Sequence, residues 1–225
     1  MGAAIGDILP MAVGVALSPV PIIAIVLMLG TPRAKTNGPA FAVGWLIGLS
    51  IAGGLMLAFA SGRAEEDGEG PATWVTIVKL VFGVAFVLLA ARTWRGRPRG
   101  SEEASMPKWM QAIDTFRTGK AFVAGAVLSG LNPKNLALTI AAAAAIASVG
   151  ISTGEAIATL AVFILLGSLS ILAPLGIYFL MSSRAVTILG GLKNWMARHN
   201  AVIMTVLLLV LGAKLIGDAV AGLTS

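Results

Sequence analysis

Six apolar stretches, each long enough to cross a lipid bilayer, occupy most of this chain and limit its fold more than any other feature. They run about Ala4–Gly30, Pro39–Ser61, Trp74–Arg92, Lys120–Ser148, Glu155–Met181 and Asn200–Ala221. At 1.5 Å rise per residue, about 20 helical residues cross the hydrocarbon core. Backbone groups in lipid must be satisfied within the spanning structure, so each stretch is predicted to be a helix. Composition agrees: the chain is 57% hydrophobic and 12% charged, where a soluble domain is about 45–50% and about 25%. Mean hydropathy is +0.92, and too little polar residue remains to cover a soluble surface. The first stretch is not expected to be a cleaved signal peptide. Residues 1–6 hold no Lys or Arg, and the run from Ile8 to Pro32 is too long.

Orientation follows from the basic residues, because positive loops stay cytoplasmic. Arg33 and Lys35 follow span one; Arg92, Arg95, Arg97, Arg99, Lys108, Arg117 and Lys120 follow span three; Arg184, Lys193 and Arg198 follow span five. The opposite side holds Arg63 against Glu65, Glu66, Asp67, Glu69 and Glu155. Both termini are therefore expected outside, with the 62–73 loop. The positive charge (pI near 10.2) reads as a topological signal, and nucleic acid is not an expected partner. Two basic loops carry an apolar face, Trp109/Ile113/Phe116 and Ile188/Leu192/Trp195, as short helices at the cytoplasmic headgroup level would. A disordered basic loop is the alternative for each.

The halves resemble each other. Leu17-Ser18-Pro19-Val20-Pro21-Ile22 lies on Leu131-Asn132-Pro133-Lys134-Asn135-Leu136 without a gap, Gly48–Ile51 echoes Ser168–Ile171, and Ala90-Ala91-Arg92 echoes Gly212-Ala213-Lys214. Each half holds three spans, so the second must sit upside down relative to the first, the inverted-repeat plan of many secondary transporters. The expected fold is an all-α membrane protein, one transmembrane domain over 1–225. Repeat one covers about 1–95, a basic cytoplasmic loop about 96–119, and repeat two about 120–225. Spans one and four are broken at proline, which lacks the amide hydrogen and clashes with the carbonyl four residues back. Freed carbonyls in lipid are costly unless protein or a watery cavity meets them. Two breaks in matched positions thus predict a polar site between the repeats, built from Ser18, Pro19, Pro21, Asn132, Pro133, Lys134 and Asn135; a plain packing kink is the bland alternative. Stripes of small residues, Ala40/Gly44/Gly48/Ala52 and Ala121/Gly125/Ser129, predict close helix approach.

Ionisable residues inside the spans are few. Lys134 needs a hydrated cavity, carbonyls or a carboxylate around it. Lys79 is placed to snorkel outward, and Lys214 with Asp218 forms an i,i+4 pair. Asp7 is a candidate partner for Lys79 or Lys214, and these four residues are the possible coupling or ion-pair set. With no mid-membrane carboxylate and a deep positive charge, an anionic or strongly polar group suits the site. Zero cysteines and one histidine, His199, leave no thiolate site and no His-based metal site within a chain. No nucleophile–base pair is assembled, so no enzyme and no cofactor is expected.

The segments Ala16–Ile23, Asn37-Gly38-Pro39-Ala40-Phe41 with Gly44-Trp45, and Leu131–Leu136 resemble the GAP family of the lysine-exporter superfamily, which contains the glycolipid-addressing proteins. Lys108-Trp109 and Gly212–Asp218 resemble it as well, and the likeness covers essentially the whole chain. The resemblance implies six helices, no catalysis, and a role in exporting, or helping to export, glycolipids across the inner membrane. Amino-acid exporters of the superfamily carry Pro-Gly-Pro at the first break, where this chain has Val20; the electron-passing branch needs paired cysteines. Three functions are therefore weighed: translocation of a glycolipid or other amphipathic envelope molecule, export of a small polar metabolite such as an amino acid, and a non-transporting scaffold. The implied partners are membrane lipids, a lipid-linked or small-molecule substrate, and a homo-oligomer or larger envelope-export machinery.

Overall fold

The computed structural model describes residues 1–66, 73–97, 113–181 and 185–224. Among them the chain is helical, without strands: α1 (Gly2–Ala16), α2 (Pro19–Leu29), α3 (Ala34–Glu66), α4 (Thr73–Arg95), α5 (Thr118–Gly130), α6 (Pro133–Ser148), α7 (Thr153–Met181) and α8 (Ala185–Thr224), with one 3-10 turn at Ile113–Thr115. Among the described residues four helices are long and apolar enough to cross a membrane, and the α1–α2 pair, bent by 51°, makes a fifth if it is one span. The chain is a multi-pass helical membrane protein. The expected fourth span is two separate helices, α5 of 13 residues and α6 of 16, each too short to cross by itself. Proline does more here than kink: it forces the residue before it into an extended conformation. Ser18 (φ −102°, ψ 101°) and Asn132 (φ −66°, ψ 122°) both adopt one, and each break ends one helix and starts another with proline in its first turn.

Burial explains why these short helices read as spans. In α2, Ile22, Ile23, Ala24, Ile25, Val26, Met28 and Leu29 are all buried, and α6 buries every residue from Ala141 to Ile146. A helix apolar all round belongs inside, and here the surrounding helices take the place of lipid. The longer helices divide their faces. In α3, Phe41, Trp45 and Leu49 are buried while Val43, Ile47, Ile51 and Leu55 are exposed, as on a helix with one side toward lipid.

Close approach occurs where the small residues lie. A Cβ on Gly44 would collide with the Phe122 carbonyl, one on Gly125 with the Phe41 carbonyl, and one on Gly48 with the Ala126 carbonyl. These contacts run α3 and α5 side by side in the same direction. α1 and α7 are likewise parallel, the Met1 amino group lying 3.9 Å from Glu155 at one end and Val15 meeting Gly167 further along. α4 and α8 are antiparallel, Gly83 against Gly212 and Thr76 against Gly222; so are α3 and α7, Gly38 against Leu175 and Gly53 against Leu160.

Helix ends depart from expectation in particular places. α3 begins at Ala34, five residues before Pro39, which sits inside the helix; the bond lost to proline there falls near an end. α7 begins two residues early, where Ser152 and Glu155 form a capping box, Glu155 Oε2 accepting from the Ser152 hydroxyl at 3.0 Å and its amide at 3.2 Å. The two expected interfacial helices are corrected. Ile113 is buried in the core and Phe116 packs partly against it, its carbonyl accepting from Asn37 Nδ2 at 2.9 Å, so this face docks on protein. Trp109 lies outside the described residues. The 188–195 segment is no separate helix but the start of the 40-residue α8, because no proline or glycine stands between Trp195 and Asn200 to end it. Its buried face is Ala185, Leu189 and Met196, while Ile188 and Trp195 are exposed.

Candidate site at the two helix breaks

A helix that stops inside the bundle leaves its last four carbonyls without helical partners. At the end of α1 each is met. Val13 accepts from the Leu17 amide at 2.9 Å and Ala16 from the Ser18 amide at 2.9 Å. Val15 accepts from the Ser18 hydroxyl at 2.8 Å, and Gly14 accepts from Lys134 Nζ at 2.5 Å. The fourth donor thus comes from the other break, 120 residues away. Its cation sits against the negative end of the α1 dipole, where positive charge is favoured. Of the carbonyls freed at the first break, those of Val15 and Gly14 are closed by the side chains of Ser18 and Lys134.

The second break is built from its own side chains. Asn132 caps α6, its Oδ1 accepting from the Lys134 amide at 3.0 Å. Asn135, fully buried, uses both ends of its amide. Nδ2 donates to the Leu128 carbonyl near the end of α5 at 3.0 Å, and Oδ1 accepts from the Ser18 hydroxyl at 3.1 Å. Ser18 has one proton to share between Asn135 and Val15. The Asn135 carbonyl accepts from Thr139 Oγ1 at 2.8 Å. Pro19 and Pro133 each begin a helix, and Pro19 and Pro21 are buried.

The structure therefore brings Ser18, Asn132, Lys134 and Asn135 into one cluster joining the breaks, with the three prolines framing it. Among the described residues no carboxylate pairs with Lys134; a backbone carbonyl is its partner. Among the described residues, three buried side-chain polar atoms lack a partner, Asn37 Oδ1, Trp45 Nε1 and Ser170 Oγ. All lie on α3 and α7, so none belongs to the break cluster. The ion-pair set is not assembled at the breaks. Lys214 and Asp218 pair with each other at 2.8 Å as expected, whereas Asp7 is exposed and pairs with neither Lys79 nor Lys214. Lys214 is already neutralised within its own helix, which removes the attraction that would draw Asp7 to it.

Sequence reasoning missed Gly14 and Leu128, which act through their carbonyls. Main-chain acceptors carry no side-chain signal, although Gly14 had one of another kind. A Cβ there would lie 2.8 Å from both Leu138 and Leu211, a close approach that only glycine allows without repacking.

The chain matches the sulfolipid-1-addressing protein (Sap) family over residues 8–221. No curated protein and no solved structure matches it. The matched segment runs from α1 into the last turns of α8 and includes both breaks and every residue of the cluster between them. This multi-pass helical membrane protein belongs to the sulfolipid-1-addressing protein family.

Proposed function

We propose that this protein translocates, or helps to translocate, a glycolipid or similar amphipathic envelope molecule across the inner membrane, with the cluster at the two breaks as the seat of its polar head. One observation carries the reading: a half-buried lysine in an apolar bundle is held by a helix-end carbonyl and, among the described residues, by no carboxylate. A carbonyl stabilises the ammonium without neutralising it, so an incoming sulfate, phosphate or carboxylate finds an uncompensated positive charge. Ser18, Asn132 and Asn135 add the hydroxyl and amide groups that a sugar head would use. The family name points to a sulfated glycolipid as the kind of molecule concerned. No catalytic step or cofactor is part of this reading.

Alternating access would come from inverted repeats, α1–α4 and α5–α8. An axis in the membrane plane makes counterpart helices antiparallel, and α3/α7 and α4/α8 run that way. Exchanging the halves turns the α3–α5 contact into α7–α1, α2–α8 into α6–α4, and α2–α3 into α6–α7, all of which occur. The buried pair α2 and α6 would also be counterparts. On this reading α5 and α6 together make one broken span, the crossings number six, and both termini lie outside. A cysteine replacing exposed Gly154 should then react with an impermeant reagent in intact cells, and one replacing Lys35 should not; the reverse pattern overturns the orientation.

The test of the site is Lys134→Met. Membrane side-chain hydrogen bonds average about 0.6 kcal/mol, so the variant should remain folded with a slightly lower melting temperature while glycolipid export per folded molecule falls at least tenfold. Normal export per folded molecule would remove Lys134 from the site. A second reading, the non-transporting scaffold, is favoured by one observation: the cluster's groups bond one another in this conformation. It predicts loss of export only in proportion to lost protein.

A further inference from the structure

A groove of about 460 Å³ runs along the flank of the bundle between α1 and α8. Val13, Gly14 and Leu17 form one wall and Val206, Leu207 and Val210 the other. From Pro10 to Leu17 the wall is about 10 Å long, at 1.5 Å per residue. Much of the protein's flank is apolar, so hydrophobicity alone does not distinguish this groove. Its connection to the polar cluster does. Gly14 belongs to the groove wall, and its carbonyl holds the Lys134 ammonium. Leu211, from the opposite wall, and Leu138, from the helix of Lys134, both close on Gly14. At the far end, Leu17 is followed directly by Ser18, whose hydroxyl reaches Asn135.

We infer that this groove seats an acyl chain of an anionic lipid whose head is held at Lys134, so that cargo approaches the breaks sideways from the bilayer between α1 and α8. The inference rests on the proposed role of the break cluster and adds where the tail lies and what charge the head carries. Charge complementarity selects this occupant. A soluble anion would satisfy the lysine and leave the groove without purpose; a neutral lipid would fill the groove and leave the cation unmatched. Only a molecule carrying an apolar chain beside a negative head meets both.

The test uses the full-length protein in phosphatidylcholine nanodiscs containing a trace of either phosphatidylglycerol or phosphatidylcholine with a diazirine in one acyl chain. After illumination, labelled residues are located by mass spectrometry. The anionic probe should label α1 and α8 groove residues about five-fold more than the neutral one, the ratio given by about 1 kcal/mol of attraction to one lysine. Val206→Trp, at an exposed position, should fill the groove and abolish the labelling; Val13→Trp from the opposite wall does the same if the first variant folds poorly. Lys134→Met should equalise the two probes, and Val81→Trp, on the exposed face of α4, should change nothing. Equal labelling by both probes in the unmodified protein identifies ordinary surrounding lipid and overturns the inference. So does wild-type export by the groove-filled variants. If Lys134→Met abolishes export while the groove-filled variants export normally, the groove fails and the head site stands; normal export by Lys134→Met removes the head site itself.

Discussion

Two helix seams that the proposed exchange of halves makes counterparts are built differently. Between α3 and α5 the contact is backbone on backbone: Gly44, Gly48 and Gly125 each face a carbonyl of the other helix, and Gly130 faces that of Gly48. Between α1 and α7 a side chain intervenes, Gly167 meeting the methyl and Cβ of Val15. A carbonyl fixed in a helix cannot move aside, whereas a valine side chain can give by a few tenths of an ångström. The α3–α5 seam is therefore expected to be the static side of the bundle. The α1–α7 seam carries the broken helix whose end is held by hydrogen bonds from Ser18 and Lys134, and those can be exchanged one at a time. If the protein transports as proposed, motion is expected on that side.

The largest effect expected from this difference is at Gly125. In Gly125→Ala the new methyl meets the Phe41 carbonyl and lies 2.8 Å from the Trp45 amide nitrogen, so the helices must separate. Overpacking of this kind costs about 3 kcal/mol, and the variant should lose most of its folded yield, read by size-exclusion chromatography in detergent. A melting temperature within a few degrees of the original would mean that the seam is not rigid.

Asn135→Ala comes next and probes the link between the breaks. It leaves the Leu128 carbonyl without its side-chain donor and the Ser18 hydroxyl bonded to Val15 alone. An unmet buried acceptor costs about 1–3 kcal/mol. The melting temperature should fall while folded protein remains, and export should fall further than stability does. Loss of stability with full export per molecule would make the link purely structural.

Much of this arrangement was legible in the sequence, for physical reasons. Proline dictates local backbone, so Pro19 and Pro133 marked both breaks; small residues at four-residue spacing marked the α3–α5 seam. The pairing of Lys214 with Asp218 followed from helical spacing alone. Tertiary choices were less legible. Apolar runs do not say whether a helix faces lipid or protein, so the sequence left open that α2 and α6 are interior helices, walled by the rest of the bundle. Nor does the pattern around Ile113 say whether its apolar face meets lipid or the core, since both solvents reward the same residues. At the site, the residue types were readable while their partners were not: the Val15 and Gly14 carbonyls are closed by Ser18 and Lys134, and nothing in the residue types announces that.

The smallest structural effect belongs to Gly167→Ala, and it is the sharpest test of the comparison because the chemistry matches Gly125→Ala. A Cβ at Gly167 would lie 3.1 Å from Val15 Cγ1, 3.4 Å from Val15 Cβ and 3.5 Å from Leu49 Cδ2. These are side-chain atoms, and only the first is tighter than ordinary contact. Against that slight crowding stands a gain of about 0.5–1 kcal/mol from replacing glycine within a helix. The two terms nearly cancel, so stability should stay within about 1 kcal/mol of the original. Transport should respond differently, because the added methyl engages Val15 one residue from the carbonyl that holds Lys134. If α1 shifts against α7 during the cycle, Gly167→Ala should slow export several-fold in a protein that melts normally. If it instead destabilises the fold as much as Gly125→Ala does, the two seams are equally rigid and the proposed mobile side is wrong. An unchanged export rate would place the motion elsewhere, with the α4–α8 crossing at Gly83 and Gly212 the next seam to test.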